Sequence, residues 1–467
     1  MAAEPRGNLG SLGLIQAFRL ASGLVVNVMV MRGLGVEGFG VYGYVSTLVG
    51  LAAFGAGMGM DRLIKREMAR DEALAGKHVA TGLAAAALLS LATGAALLAW
   101  VALVDGRPQV LGATALAALA LGLQSLAVVP VSYFHAIRRM GLGVRANAAG
   151  RLVLTVATGI FLLLHFDARA VFAAQVLDAT VAFGLLWRTY RTLDTPPLRT
   201  RWPDVIGLVR AALPFGTNAL CVSIYLTVDV VLLAHARGDA DVGVYRGAVM
   251  LLTMLTLLAE TLSTGVFPRM ARHLGRPDLA GIELRFASRV LLAFSIPAAV
   301  GGMLTAEPLM VLLGGPDYAA SALPFLMMVP LLPLRFLSNS YGMTLSALDR
   351  QEDRTRGAVI AAGFNVLVNL YAIPRFGVLG AAGTTLLTEL LLYLWTQWRV
   401  LPLVDRLDLG RPLVRVAIPT LAMGLGIAVL PDLHVVLRIV VGVAIFAVIG
   451  RLTDAWHPSD LRRLREV

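Results

Sequence analysis

The chain has 467 residues, 58% of them hydrophobic and only 15% charged, with a net charge of +11. Soluble domains are nearer a quarter charged, so this inventory cannot cover a water-exposed surface. The basic excess lies in short segments between apolar runs long enough to cross a hydrocarbon core of roughly 30 Å, which speaks for membrane loops and against a nucleic-acid partner.

The predicted elements are all helical. The N-terminus, with only Glu4 and Arg6 charged, leads into an apolar run interrupted by Gln16, Arg19 and Asn27. It offers no clean cleavable signal and is read as the first span. Apolar segments then follow at 39–60, 79–104, 109–135, 146–166, 169–187, 206–235, 243–267, 286–305, 319–347, 357–374, 378–401, 412–430 and 434–452, about fourteen spans with the first at 10–31. With residues at span ends counted to the adjoining loops, one alternating set of loops and termini holds 30 of the 40 basic residues and the other set 7, while Arg19, Arg151 and Arg335 fall in span interiors. That asymmetry places both termini in the cytoplasm, which requires an even number of spans.

An internal repeat organises the chain. Gly40-Val41-Tyr42 recurs as Gly243-Val244-Tyr245, and Arg66-Glu67-Met68-Ala69-Arg70 as Pro268-Arg269-Met270-Ala271-Arg272, at offsets of 203 and 202. A weaker match sets His135-Ala136-Ile137-Arg138-Arg139 beside Ser346-Ala347-Leu348-Asp349-Arg350. A six-span unit repeated in the same orientation implies two six-helix lobes related by a pseudo-twofold along the membrane normal. The expected division is an N-terminal lobe over 1–190, a cytoplasmic linker over 191–205, a C-terminal lobe over 206–402, and two further helices with a tail over 403–467.

Several motifs carry no chemistry. The G-x-G-x-x-G of Gly33 to Gly38 follows a spanning helix rather than a strand, so it is a turn and not a dinucleotide site. No phosphate-binding loop surrounds either lysine, Lys65 or Lys77. The single cysteine, Cys221, lies in an apolar run and the seven histidines are scattered, so neither a disulfide framework nor a metal centre is expected.

The informative residues are polar groups inside spans, each costly there unless it meets a partner or water. Gln16, Arg19, Gly23 and Asn27 form one stripe of the first span. Further stripes are Asn147, Arg151, Thr155 and Thr158; Asn218, Tyr225 and Asp229; Thr253, Thr256, Glu260 and Thr264; Arg335 with Asn339; and Asn365 with Asn369. Interhelical pairing is one reading, with Arg151 meeting Asp178 and with Asp229 and Glu260 as counter-charges to Arg19 or Arg335. A water-filled transport path is the other, and the number of stripes favours it.

The chain resembles the polysaccharide-biosynthesis flippases, the O-antigen (Wzx-type) branch of the multidrug/oligosaccharidyl-lipid/polysaccharide exporter superfamily. The resembling residues are Arg32-Gly-Leu-Gly35 running into Gly38-Phe-Gly-Val-Tyr42, Pro214 to Tyr225 with Asp229, Gly243-Val-Tyr245, and Val266-Phe-Pro268-Arg269. They continue through Gly314-Gly-Pro-Asp-Tyr318-Ala, Asn365 and Asn369, Ile373-Pro374-Arg375-Phe-Gly377, and Gly380-Ala-Ala-Gly383. The resemblance implies two lobes around a cavity that opens alternately to either side of the bacterial cytoplasmic membrane. It also implies a cargo of oligosaccharide on a lipid diphosphate, membrane lipids as surroundings, and glycosyltransferases and a polymerase as pathway partners. Gln16, Arg19, Asn27, Asn218, Arg335, Asn339 and Asn365 are the expected substrate residues, with the two arginines facing the diphosphate. No cofactor is expected. Asp229 and Glu260 are candidates for binding a coupling ion, a proton or sodium. A cation-coupled drug exporter, a lipid II flippase and a membrane polymerase are the alternatives. Lipid II flippases tend to carry several cavity arginines in helices 1, 2 and 8, where the span interiors of this chain hold only Arg19. A polymerase usually has a long outer loop, which this chain lacks.

Overall fold

The computed structural model describes residues 7–57, 59–70, 74–193, 197–271, 277–404, 410–453 and 455. Within these, side chains are described except at 7–20, 62, 69, 70, 214–222, 225, 226, 257–271, 277, 278, 411 and 412. In chain order the helices are α1 (Gly7–Gly57), α2 (Met60–Arg70), α3 (Ala75–Val104), α4 (Pro108–Ala136), α5 (Met140–Leu163), α6 (Ala168–Arg191), α7 (Trp202–Arg237) and α8 (Asp239–Ala271). They continue with α9 (Pro277–Leu304), α10 (Ala306–Gly314), a 3-10 turn (Pro316–Ser321), α11 (Ala322–Met328), α12 (Leu331–Ala347), α13 (Gln351–Val400), α14 (Gly410–Ala428) and α15 (Val435–Leu452). No strand occurs among the described residues.

Among the described residues, eight helices are long and apolar enough to cross a membrane, and the 3-10 turn and α11 together with α12 add a ninth span bent by 49°. Two of the eight cannot each be one span. At 1.5 Å per residue, α1 and α13 would each run about 75 Å, more than twice the hydrocarbon thickness. Each is broken at a glycine with a left-handed backbone, Gly35 (φ 66°) and Gly377 (φ 57°), in the loops predicted between spans. At Gly377 a side chain would be strained by φ and would also meet the Asp241 carboxylate 3.3 Å away. The outward faces are lined by bare aliphatics, Leu103 at 86% exposure and Leu163 at 80% among them, which only a lipid surround accommodates.

The backbone carries the repeat further than the sequence does. Left-handed residues occur in matched order at Gly35 and Gly238, Gly106 and Gly315, Arg138 and Asp349, and His165 and Gly377, at offsets of 203, 209, 211 and 212. The weak sequence match at His135 and Ser346 marks a shared helix ending. In α4, Arg139 N–H donates to the Phe134 carbonyl at 2.8 Å and Arg138 N–H to that of His135. In α12, Arg350 N–H donates to Leu345 at 2.7 Å and Asp349 N–H to Ser346. Both are six-to-one closures with a left-handed residue outside the helix, which satisfy carbonyls the helix leaves free.

Two compact units result, residues 1–234 and 235–467. In the first, α2 buries Met60, Leu63, Ile64 and Met68, a 3.6-residue stripe, against Val79, Tyr133, Phe134, Leu186 and Tyr190. The start of α7 joins this core through Val205 and Ala212. Lys77 holds Asp204 at 2.8 Å, and that hydrogen bond keeps the Asp204 carboxyl, ahead of the apolar stretch of α7, below the usual carboxylate range. The repeat-derived lobes assign α7 to the second half, whereas the packing of its first turns assigns it to the first. In the second unit, α9, α12 and the end of α13 enclose Leu284, Phe286, Leu337, Tyr341, Leu345 and Val400. α14 and α15 pack together over Met423, Ile427 and Phe446, with α14 also against α9.

Candidate functional site

Each unit gathers the polar groups of its spans into one place. In the first unit, α5 and α6 meet at Gly150, the small residue that lets the two backbones close. Their approach brings Arg151 Nη1 to 3.8 Å from Asp178 Oδ2, the pairing weighed from sequence. The distance exceeds hydrogen-bond reach, so the two charges attract without a shared proton. They line a cavity of about 490 Å³ with Gln124 of α4, Asn147 of α5, and Asp61 and Lys65 of α2. The Lys65 ammonium lies 3.2 Å from the Asp61 carboxylate.

Gly150 provides a check on this geometry. A Cβ there would overlap the Asp178 carboxylate and lie 2.8 Å from the Asp178 carbonyl oxygen, whereas one at Gly184 would meet nothing. Gly150→Ala should therefore destabilise the solubilised protein by about 1–3 kcal/mol through overpacking. Gly184→Ala should be neutral or stabilising by up to about 1 kcal/mol, because alanine favours the helix. Equal melting temperatures for the two variants would contradict the close α5–α6 approach.

In the second unit, the part of α13 beyond Gly377 acts as a hub. Glu389, 2% exposed, accepts from Arg335 Nε at 2.9 Å and Nη2 at 2.5 Å. One turn earlier, Thr385 Oγ1 is 3.1 Å from the Tyr245 hydroxyl of α8. On the adjoining face, Asn365 Nδ2 donates to Thr388 Oγ1 at 3.2 Å, and Asn369 Nδ2 donates to Asn365 Oδ1 at 3.0 Å. Both asparagines are buried, and Asn369 Oδ1 has no hydrogen-bond partner among the described residues.

The predicted residues thus fall into different settings. Arg335 is paired with a carboxylate that the sequence reading did not single out. Its one-turn neighbour Asn339 is part-exposed on α12. Asn365 joins the two halves of α13 through its hydrogen bond to Thr388. Asn27 Nδ2 donates back to the Gly23 carbonyl at 3.0 Å in α1. Asp229 is buried in α7, its Oδ1 accepting from Val230 N–H at 2.8 Å. The side chains of Gln16, Arg19, Asn218, Tyr225, Glu260 and Thr264, and that of Cys221, lie outside the described residues. Among the described residues no cluster of histidine, cysteine and carboxylates could hold a metal ion.

Comparison with known proteins follows the geometry. The family model described as polysaccharide biosynthesis protein matches residues 7–274, and the MatE family model matches 214–371. A protein of Haloferax volcanii named as a low-salt glycan biosynthesis flippase is 23% identical over 281 residues, 58% of this chain and 57% of that protein. One of Escherichia coli named as an O-antigen transporter is 25% identical over 278 residues, 56% of this chain and 64% of that protein. In each, the match spans less than two-thirds of the relative. A solved structure of the lipid II flippase MurJ in an inward closed conformation superposes with a TM-score of 0.77 at 12% identity, covering 94% of this chain and 98% of that one. An inward-facing multidrug resistance transporter of the MATE family superposes with a TM-score of 0.66 at 16% identity, covering 82% and 94%. At these identities the structural likeness speaks for the fold.

Proposed function

Because the chain belongs to the polysaccharide biosynthesis protein family, we propose that it is a flippase that carries a lipid-diphosphate-linked oligosaccharide across the bacterial cytoplasmic membrane by alternating access. The observation that carries the reading is the match of the family model over residues 7–274. It is joined to an all-helical membrane fold whose two units each gather polar side chains among apolar helices. The named functions of the two relatives point the same way.

In this reading both termini are cytoplasmic, as the arginine asymmetry predicts, and the cargo reaches the protein from glycosyltransferases and leaves it to a polymerase. Arg19, mid-span on the polar stripe of α1, contacts the diphosphate, since a guanidinium stays charged and donates in a fork that matches phosphate oxygens. With no nucleotide site in the sequence, direction comes from an ion gradient or from consumption of the product. Asp229 and Glu260 are the carboxylates proposed to bind and release a proton or sodium ion, because burial of the charged form makes its occupancy sensitive to conformation.

Deleting the gene should leave a lipid-linked intermediate on the cytoplasmic leaflet and remove the surface polysaccharide, and the wild-type gene should restore both. If the intermediate reaches the outer leaflet and only fails to lengthen, the protein is a polymerase and the proposal is wrong. If lipid II is what accumulates, the cargo assigned here is wrong.

A further inference from the structure

Resting on that reading, we propose that the cavity between α2, α4, α5 and α6 is a binding site for neutral sugar rings of the glycan, separate from any contact with the lipid diphosphate. The first observation is a set of unused hydrogen-bonding groups. Among the described residues, the Gln124 and Asn147 amides and the Arg151 guanidinium make no side-chain hydrogen bond to protein, and neither does the Asp178 carboxylate, which is only 7% exposed. Gln124 and Asn147 are exposed and Arg151 is part-exposed, so their groups are open to a ligand, while the buried Asp178 carboxylate is costly unless water or a ligand completes it. They converge on about 490 Å³ of space, within the roughly 300–1,000 Å³ usual for small-ligand sites.

The second observation is charge balance. The four ionised groups form two opposite pairs, Asp61 with Lys65 and Arg151 with Asp178, so the cavity is neutral as a whole. A phosphate or carboxylate ligand would leave one negative charge uncompensated in a low-dielectric setting. A sugar hydroxyl, by contrast, donates and accepts at once. It needs an acceptor such as Asp178 beside donors such as Arg151 and the two amides, and the cavity supplies both kinds. The apolar wall at Val128 and Val131 offers a surface for the C–H face of a ring. Both the polar mixture and the apolar wall therefore fit a hydroxyl-rich, uncharged ligand better than an anion.

The test uses the purified full-length protein. A single reporter cysteine is placed in the cavity (Ala148→Cys with Cys221→Ser), and its rate of maleimide labelling is measured with lactose, glucuronate or inorganic pyrophosphate. Lactose should slow labelling at least threefold and saturably, and the other two should not. A control cysteine at Ala240→Cys should be unaffected, which removes viscosity as a cause. Gln124→Ala and Asn147→Ala should each abolish the protection. Since neither side chain hydrogen-bonds the protein, their loss leaves the fold intact, and an unchanged melting temperature checks this. Protection by glucuronate or pyrophosphate alone would make the cavity an anion site and overturn the proposal, as would no protection by any of the three. Absence of protection in a protein that still restores surface polysaccharide refutes the sugar site and spares the flippase reading. Protection in a protein that moves no intermediate does the reverse.

Discussion

Glu389→Ala should cost the solubilised protein about 1.5–3 kcal/mol, since it removes charge-assisted hydrogen bonds to a guanidinium that is only partly exposed. The reason is the asymmetry of buried pairs. Removing the carboxylate takes away the negative charge 2.5–2.9 Å from the Arg335 guanidinium, whose side chain is 30% exposed. Forming the pair, in contrast, is close to neutral, since its attraction mostly offsets desolvation of both groups. The double variant Arg335→Met with Glu389→Leu should therefore recover most of the loss, and Glu389→Gln should fall between. Thermal melts of the three variants in one detergent decide the matter. If Glu389→Ala melts with the wild type, the pair is not what holds α12 to α13.

The sequence made the class and much of the architecture legible, because long apolar runs and loop arginines are strong, local signals. The breaks at Gly35 and Gly377 fall where the predicted spans end, since each glycine stands in a loop that needs a positive φ. Pairings between distant helices were harder to read. Helical periodicity locates a stripe but gives no partner, so Arg335 was placed on a polar face without its carboxylate. One signal was available: Glu389 is the only acidic residue between Arg354 and Asp405, in the middle of an apolar stretch. A lone carboxylate there calls for a cation, and Arg335 is the nearest in sequence of the three arginines placed inside spans. Asn365 and Asn369 show the converse. Their spacing is that of a cavity face and equally that of interhelical hydrogen bonding, and only the position of Thr388 separates the two. The cavity beside Arg151 was half legible, through the α5 stripe. Gln124 escaped because it belongs to no polar stripe on α4, and Asp61 because α2 falls between the predicted spans.

The pairing of Arg335 changes what is expected of Arg19. The sequence offers two mid-span arginines for a diphosphate, and Glu389 neutralises one of them. If the cargo carries a diphosphate, its fixed cation is then Arg19, on α1. Arg19→Ala should lower export about tenfold to a hundredfold, the loss of one charge-assisted hydrogen bond worth roughly 1.5–3 kcal/mol. Arg19→Lys should keep part of the activity, since the charge survives without the two-pronged fork. The measurement is export of the lipid-linked intermediate, normalised to the amount of protein in the membrane. Loss of protein from the membrane in Arg19→Ala would mean that the arginine is a structural partner of another buried group. Full export by that variant would remove Arg19 from the substrate path altogether. Arg335→Lys supplies the contrast: if Arg335 acts through Glu389 and not on the phosphate, this variant should lower the melting temperature while export per folded molecule stays within about twofold of wild type.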